Sequence, residues 1–456
     1  MNLLEAYKNR ISYASKYAND RGTPMSQQKK VLLAKLLNNT DRFLTEAFAG
    51  TNATQLSNMT MTDGTSYKKF CLNLTTMAVP SLILPELMMV QPMSSMSGYL
   101  VYVKYVIGTG HLKDATEGNV FQDPWTLGDI DQEVRTSYTA SSVVEVFTGD
   151  GTATTFTLGF PQASTLVSVT VAGTAVQGST LANGVVTLTS APAANAEVRI
   201  AYTYDNVTIP QEVVPVYNAK MDSISLNAKA RRIAIRYSQI AAFQAKTDYG
   251  FDMQQQLAAQ AVGELAYEID TEGVALLDKA AGDASPDLYW NIRRPDYISK
   301  ADHYEGFAEI LEAAKAIMFD RTRKFAPNYM VANSKVLRVL PFIKGWQSAN
   351  IATMNGPFLA GTLNGIKVFI SPALAEGRFF LGVNQGDVYT SAAVYAPYMM
   401  ITPTQLLGFA DGSMTQGFST LYDMKILNNI LLVAGQITDE ASFPGTVVPS
   451  GDVAIY

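Results

Sequence analysis

The sequence predicts an α+β protein built around one long helix, with a small all-β module inserted ahead of that helix. Three observations carry this. Residues 252–281 hold a helical pattern without proline, in which Met253, Leu257, Ala261, Leu265 and Ile269 recur every fourth position and Val262, Ala266, Leu276 and Leu277 widen the stripe. Residues 146–206 change to short alternating runs rich in Thr, Val, Ala and Gly, with no lysine and the single arginine Arg199. After the helix, strand-like and helix-like segments alternate through residue 433.

Composition sets the bounds. Hydrophobic residues make up 48% of the 456 and charged residues 16%, which describes an ordered chain, and the length suggests about two to four domains. A net charge of −6 and a pI near 5.2 give no support to a nucleic-acid-binding surface, which needs clustered Lys and Arg. The single cysteine, Cys71, excludes an intrachain disulfide and fits a reducing compartment; it is expected to be a small buried hydrophobe. The first residues, Met1-Asn2-Leu3-Leu4-Glu5-Ala6, lack an apolar signal region of about 7–15 residues. The most apolar stretch, 78–90, is interrupted by Pro80, Pro85 and Glu86 and is too short to span a bilayer. The sequons at Asn52, Asn73 and Asn206 carry little meaning without secretion, so a soluble intracellular protein is expected.

Residues 1–46 are the most charged part and are expected to be helical. Ser26 is a candidate N-cap for a helix with Val31, Leu32, Leu36 and Leu37 on one side, ending near Asn38-Asn39 before a second short helix. Residues 50–66 turn abruptly to Asn, Thr, Gly, Ser and Met, the composition of an extended arm or linker. A proline-punctuated apolar run, 79–93, leads to a strand over 99–107. Residues 108–135 are loop-like; Gly108 and Gly110 lack the Gly-Lys-Ser/Thr and the following helix that a phosphate loop requires.

Within the β module, strands are expected at 154–158, 167–171, 185–188 and 198–204. Turns separate them at Gly149-Asp150-Gly151, Gly159-Phe160-Pro161, Asn183-Gly184 and Ala191-Pro192. That is a sandwich in outline. Its flanks, 143–147 and 202–207, are suited to pair with each other, so the module is expected to enter a host domain through two adjacent strands.

Residues 230–237 then alternate as a strand, 238–246 form a short helix, and Asp248-Tyr249-Gly250 turn the chain into the long helix. At the usual rise that helix spans roughly 45 Å, the dimension of a spine on which other elements hang. A loop over 282–298 carries Arg293 and Arg294, and 304–319 is a second amphipathic helix. Short strands and helices follow at 329–332, 335–340, 366–370 and 379–382, then longer strands at 389–400 and 417–433, and a polar Gly/Pro-rich tail from Gly435.

The catalytic inventory is poor. His111 and His303 are the only histidines, neither stands in a metal-ligand spacing, and no Gly-x-Ser-x-Gly elbow accompanies them. No enzyme activity, metal or cofactor is expected. One feature of the spine stands out: Glu264, Glu268 and Glu272 occupy successive i,i+4 positions, and each such like-charge pair costs roughly 0.2–0.5 kcal/mol in an isolated helix. The bland account is a solvated acidic face. The sharper one is a cationic partner supplied by Arg231, Arg232, Arg293 or Arg294 of the same or a neighbouring subunit.

Several runs, in order, resemble the major capsid proteins of contractile-tailed (myovirus) double-stranded DNA bacteriophages. They are Val90-Gln91-Pro92-Met93-Ser94-Ser95-Met96-Ser97-Gly98, the span from Lys229-Ala230-Arg231-Arg232 to Tyr249-Gly250-Phe251-Asp252, and Asn364-Gly365-Ile366-Lys367-Val368-Phe369-Ile370 after Gly361. Val394-Tyr395-Ala396-Pro397-Tyr398, Thr402-Pro403 and Gly417-Phe418-Ser419-Thr420 complete the set. None is a catalytic motif.

The resemblance implies the HK97-like fold and a shell subunit: a major capsid protein assembling as hexamers, with pentamers, into an icosahedral head around double-stranded DNA that it does not bind sequence-specifically. In those terms, 1–46 is a candidate propeptide and 47–98 the N-terminal arm and start of the P-domain. The E-loop would use 99–145 and 207–237, with 146–206 the insertion. The P-domain with its spine would be 238–325, the A-domain 326–398, and 399–456 the returning P-domain strands and tail. Phe43-Leu44-Thr45-Glu46-Ala47 resembles a prohead-protease site, with cleavage between Glu46 and Ala47; Leu3-Leu4-Glu5-Ala6 is a weaker match. Implied partners are other copies of the chain, a scaffold, the prohead protease and cement or decoration proteins, with assembly in the host bacterial cytoplasm and no membrane. Alternatives in view are a vertex protein of the same fold, an encapsulin-type shell, and a β-sandwich adhesin or carbohydrate-binding protein.

Overall fold

A computed structural model describes residues 3–20, 25–49, 61–107, 120–122, 142–159, 163–204, 217–250, 252–293, 298–322, 324–349, 356–404 and 406–439. The chain divides into two units, Met1–Leu100 with Ser225–Tyr456, and Val101–Ile224. Its class is α+β, and the long spine helix that the resemblance implies is present.

In the first unit the spine helix is Met253–Ala281, 29 residues capped at its start by Asp252, whose carboxylate accepts the Gln255 N–H at 3.2 Å. Ala261, Val262, Leu265, Ala266, Ile269, Val274 and Leu277 are buried along one stripe, as the sequence period requires. The stripe packs on the helix Met61–Ser81 and on the strands Lys229–Ser238, Ser413–Ile426 and Leu432–Thr438. Two sheets flank this core. The five-stranded one runs Met89–Val90, Ala393–Pro403, Ser413–Ile426, Lys229–Ser238, with Leu407–Gly408 added to Ser413–Ile426. Lys229–Ser238 lies at its edge, paired antiparallel to Ser413–Ile426 with Arg231 opposite Thr420. The seven-stranded sheet is mixed, with Tyr329–Ala332 parallel to Ile366–Ile370 and antiparallel to Arg378–Gly382. Its hairpin Phe358–Leu363 to Ile366–Ile370 turns at Asn364-Gly365, both at positive φ (49° and 85°), the backbone for which Asn-Gly is selected.

Three local expectations change. The helix Gln27–Ala49 is continuous through Asn38-Asn39, because the Asn39 side chain donates to Met93 O (2.7 Å) and Tyr398 O (2.9 Å) and so ties the helix to its neighbours instead of ending it. The helix Met61–Ser81 begins inside the stretch expected to be an extended arm; residues 51–60 of that stretch lie outside the described residues. The expected strand 417–433 is two strands, Ser413–Ile426 and Leu432–Thr438, in different sheets. Between them Asn428 accepts the Ile430 N–H at 3.0 Å and starts a short 3₁₀ turn, Asn429–Leu431.

In the second unit, Ser142–Thr148 pairs antiparallel with Glu197–Tyr204, and Val143 faces Tyr202. The flanks of the inserted module therefore pair, as expected. Ala163–Val171 and Thr174–Ala175 extend that sheet to four strands, and Thr155–Thr157, Val185–Thr187 and Thr180–Ala182 form a three-stranded one. The second hairpin turns at Asn183-Gly184 with φ of 51° and 74°. Phe147, Phe156, Leu158, Val169, Val186, Leu188, Val198, Ile200 and Tyr202 form a core of their own. Buried Glu145 accepts from Tyr202 Oη at 2.5 Å and from the Gly159 N–H at 2.8 Å, which satisfies its carboxylate inside that core.

Candidate inter-subunit surface on the spine helix

The acidic stripe divides into two parts. Glu272 is engaged within the subunit. Arg231, held by the strand register, meets it with Nη2 on Oε1 and Nε on Oε2 at 3.3 Å. Tyr422 donates its hydroxyl to Glu272 Oε2 at 2.5 Å, and the Arg231 guanidinium stacks 4.6 Å from the Tyr422 ring centroid. Partial burial works against the Arg231 charge, but the Glu272 carboxylate outweighs it and raises the guanidinium above its ordinary value. Burial, then the hydrogen bond to Glu272, push the Tyr422 phenol up as well.

Glu264 and Glu268 stay exposed, and among the described residues no ion pair joins either to a cation. Glu264 borders a cleft of about 580 Å³ shared with Tyr17, Met77, Gln260 and Tyr267. Arg232 is exposed on the open edge of its strand, and Arg293, also exposed, donates its backbone N–H to Asn291 Oδ1 at 3.0 Å. Arg294 lies outside the described residues. Of the predicted set, then, only Arg231 and Glu272 meet among the described residues. The backbone of Glu46 and Ala47 lies in the final turns of the helix Gln27–Ala49. His303 stacks on Trp290 (5.0 Å) with Nε2 2.8 Å from Asn291 O, Cys71 is buried, and His111 lies outside the described residues.

A second charged cluster escaped the sequence reading. Asp270, 3% exposed on the core side of the spine, accepts the Ile83 N–H at 3.1 Å and the Leu84 N–H at 3.2 Å, capping the short helix Leu84–Leu87. Lys29, 5% exposed, contributes the positive field from the helix Gln27–Ala49, and Lys367 pairs with Glu86 at 2.7 Å. Burial pushes the Asp270 carboxyl up to about 7, against the two backbone N–H groups and Lys29. Burial also lowers Lys29, whereas for Glu86 the lysines outweigh burial and hold it below its ordinary value. A sign was present in the sequence: Asp270 falls four residues after Ala266 on an otherwise apolar stripe.

Among the described residues there is no cluster of three metal-ligating side chains, and no helix is long and apolar enough to cross a membrane. No curated protein sequence matches significantly. Solved structures with similar coordinates include one from Microbacterium phage Oxtober96 (11% identity, 79% of this chain and 91% of that one, TM-score 0.39). Others are the mature capsid of bacteriophage PhiM1 (14%, 52% and 80%, 0.34) and the capsid of Myoviridae phage XM1 (8%, 66% and 87%, 0.33). The sequence model of the family described as Major capsid protein Gp23 matches residues 65–444, most of the chain. By that match the chain belongs to the Gp23 major capsid protein family and is a phage capsid shell protein.

Proposed function

We propose that this shell protein assembles through hexamers, with pentamers at the vertices, into an icosahedral head around phage double-stranded DNA, without catalysis of its own. The family match over residues 65–444 carries this reading. In the HK97-like plan the spine helix belongs to the P-domain, residues 326–398 to the A-domain, and 99–145 with 207–237 to an E-loop bearing the insertion 146–206, except that the pairing of Lys229–Ser238 with Ser413–Ile426 beside the spine favours ending the E-loop return before residue 229. A net charge of −6 suits a wall that must not adhere to packed DNA.

Glu264 and Glu268 are proposed as contacts for arginines of a neighbouring subunit, with Arg232, Arg293 and Arg294 the candidates. Their exposure and lack of an ion pair among the described residues support this. Glu268→Lys is expected to impair shell formation, seen by electron microscopy and sedimentation, while leaving the subunit's unfolding midpoint within about 2 °C. Shells of normal yield from that variant would sink the contact. Cleavage between Glu46 and Ala47, a scaffold, cement proteins and assembly in the host cytoplasm belong to the same reading. Intact mass of the virion protein tests the cleavage: a chain starting at Met1 ends it.

A further inference from the structure

We propose that the core of the first unit carries a receptor groove for the chain's own N-terminal segment, so that a cut between Glu46 and Ala47 nicks the subunit without releasing the segment. The groove is built by the helix Met61–Ser81 and the strand Ala393–Pro403. The helix Gln27–Ala49 packs on both, and the helix Lys8–Asp20 packs on Met61–Ser81. The segment fills this groove with side chains that are part of the core, not laid over it. Ile11, Ala14, Leu32, Leu33, Leu36 and Leu37 belong to the same hydrophobic cluster as the spine. The four leucines are each at most 1% exposed.

Polar anchors fix its register. The Asn39 amide donates to Met93 O at 2.7 Å and to Tyr398 O at 2.9 Å, and Arg10 Nη1 donates to Asn73 Oδ1 at 2.8 Å. Ser26 hydrogen-bonds the Glu86 carboxylate, and buried Lys29 brings a positive charge to buried Asp270. Every one of these anchors precedes the cut. Leu44, 3% exposed, also lies before it, whereas the Glu46–Ala47 bond sits in the last turns of the helix, where fraying exposes the backbone without disturbing the anchors. Charge acts in the same direction. Residues 1–46 hold eight Lys and Arg against four Asp and Glu, a net of +4, which leaves −10 on the residues that follow. Release would bare the apolar wall of the groove, strip two carbonyls of their donor and leave Asp270 without Lys29. In the virion this retention presupposes the proposed cleavage; the groove itself does not.

The test uses the full chain with the recognition sequence of a site-specific protease inserted after Gly50. After cutting, size-exclusion chromatography without denaturant should show the N-terminal fragment and the remainder eluting together in equal amounts down to about 1 μM, and denaturant should separate them. Elution of the fragment on its own without denaturant would overturn the proposal and make the segment a shed propeptide. Asn39→Ala in the cut chain removes two hydrogen bonds and no core side chain, and it should weaken retention of the fragment by about tenfold or more. Ser12→Ala, at an exposed position, should leave retention as in the wild type. Unchanged retention in Asn39→Ala would place the fragment elsewhere and overturn the groove. Mass analysis of virion protein separates this inference from the cleavage reading. Equal amounts of a chain ending at Glu46 and one starting at Ala47 support both, and the Ala47 chain alone overturns retention. A single chain starting at Met1 ends the cleavage reading only, and the engineered cut then decides the groove.

Discussion

Asp270 shows how one side chain couples distant segments. Its carboxylate sits where the spine, the helix Leu84–Leu87 and the helix Gln27–Ala49 converge; Lys29 and Tyr395 interact with it, and Lys29 in turn interacts with Glu86 and Lys367. Because burial raises its folded value from 3.8 to about 7, its contribution to stability is full below about pH 4 and is lost as the pH rises through 7. The loss amounts to about 4 kcal/mol for a fully buried carboxyl. Asp270→Asn removes the titration. Its stability relative to the wild type should therefore climb from about pH 4 to about pH 7 and level off above that, as read by denaturant unfolding at each pH. A difference that stays constant with pH would refute the account. Lys29→Met should steepen the wild-type loss, since it removes the positive field that opposes the rise in Asp270.

At the scale of the element, the spine tests its own packing with two glycines. A Cβ on Gly273 would fall 2.3 Å from Leu84 Cδ2 and 2.7 Å from Cδ1, and Leu84 is fully buried with no room to withdraw. At Gly263 an added Cβ meets nothing within 4 Å. The same substitution in one helix should therefore have opposite signs. Gly273→Ala is expected to cost about 1–3 kcal/mol by overpacking, and Gly263→Ala to add about 1 kcal/mol through helix propensity. Thermal or denaturant unfolding of the pair decides it, and a loss at both positions would mean that the approach of Leu84 does not set the helix's place. Much at this scale was legible beforehand. The four-residue recurrence of Leu257, Ala261, Leu265 and Ile269 located the spine, and Asn183-Gly184 located a hairpin, because periodicity and turn chemistry are local properties. The Arg231–Glu272 contact was visible only as two candidate lists. Joining them needs the register of Lys229–Ser238 on Ser413–Ile426, which is set by pairing across nearly two hundred residues of sequence. Lys29 was invisible, since Gln27-Gln28-Lys29-Lys30 has the composition of a solvated helix start. The break at Leu427-Asn428-Asn429 was missed because no glycine or proline marks it.

For the whole molecule, the consequence lies in the two hydrophobic cores. The inserted module closes its apolar surface on itself through Phe147, Phe156, Val186, Val198, Ile200 and Tyr202, and shares no buried residue with the core of the first unit. Its entry and exit strands pair from Ser142–Thr203 through Thr148–Glu197, so the chain leaves and returns at neighbouring points about 5 Å apart. A module with its own core and adjacent ends can be removed or expressed without opening another core. Residues 142–204 alone should therefore unfold in a single cooperative transition with dispersed amide resonances. The full chain with 142–204 replaced by a short Gly/Ser linker should keep the unfolding midpoint of the first unit within about 3 °C. Differential scanning calorimetry of the three proteins reads both outcomes. If the excised chain unfolds much earlier, or the fragment has no transition, the module is not an autonomous fold. If both hold, the effect of the excision on shell formation can be read as the module's role in contacts between copies, separate from the stability of the subunit that carries it.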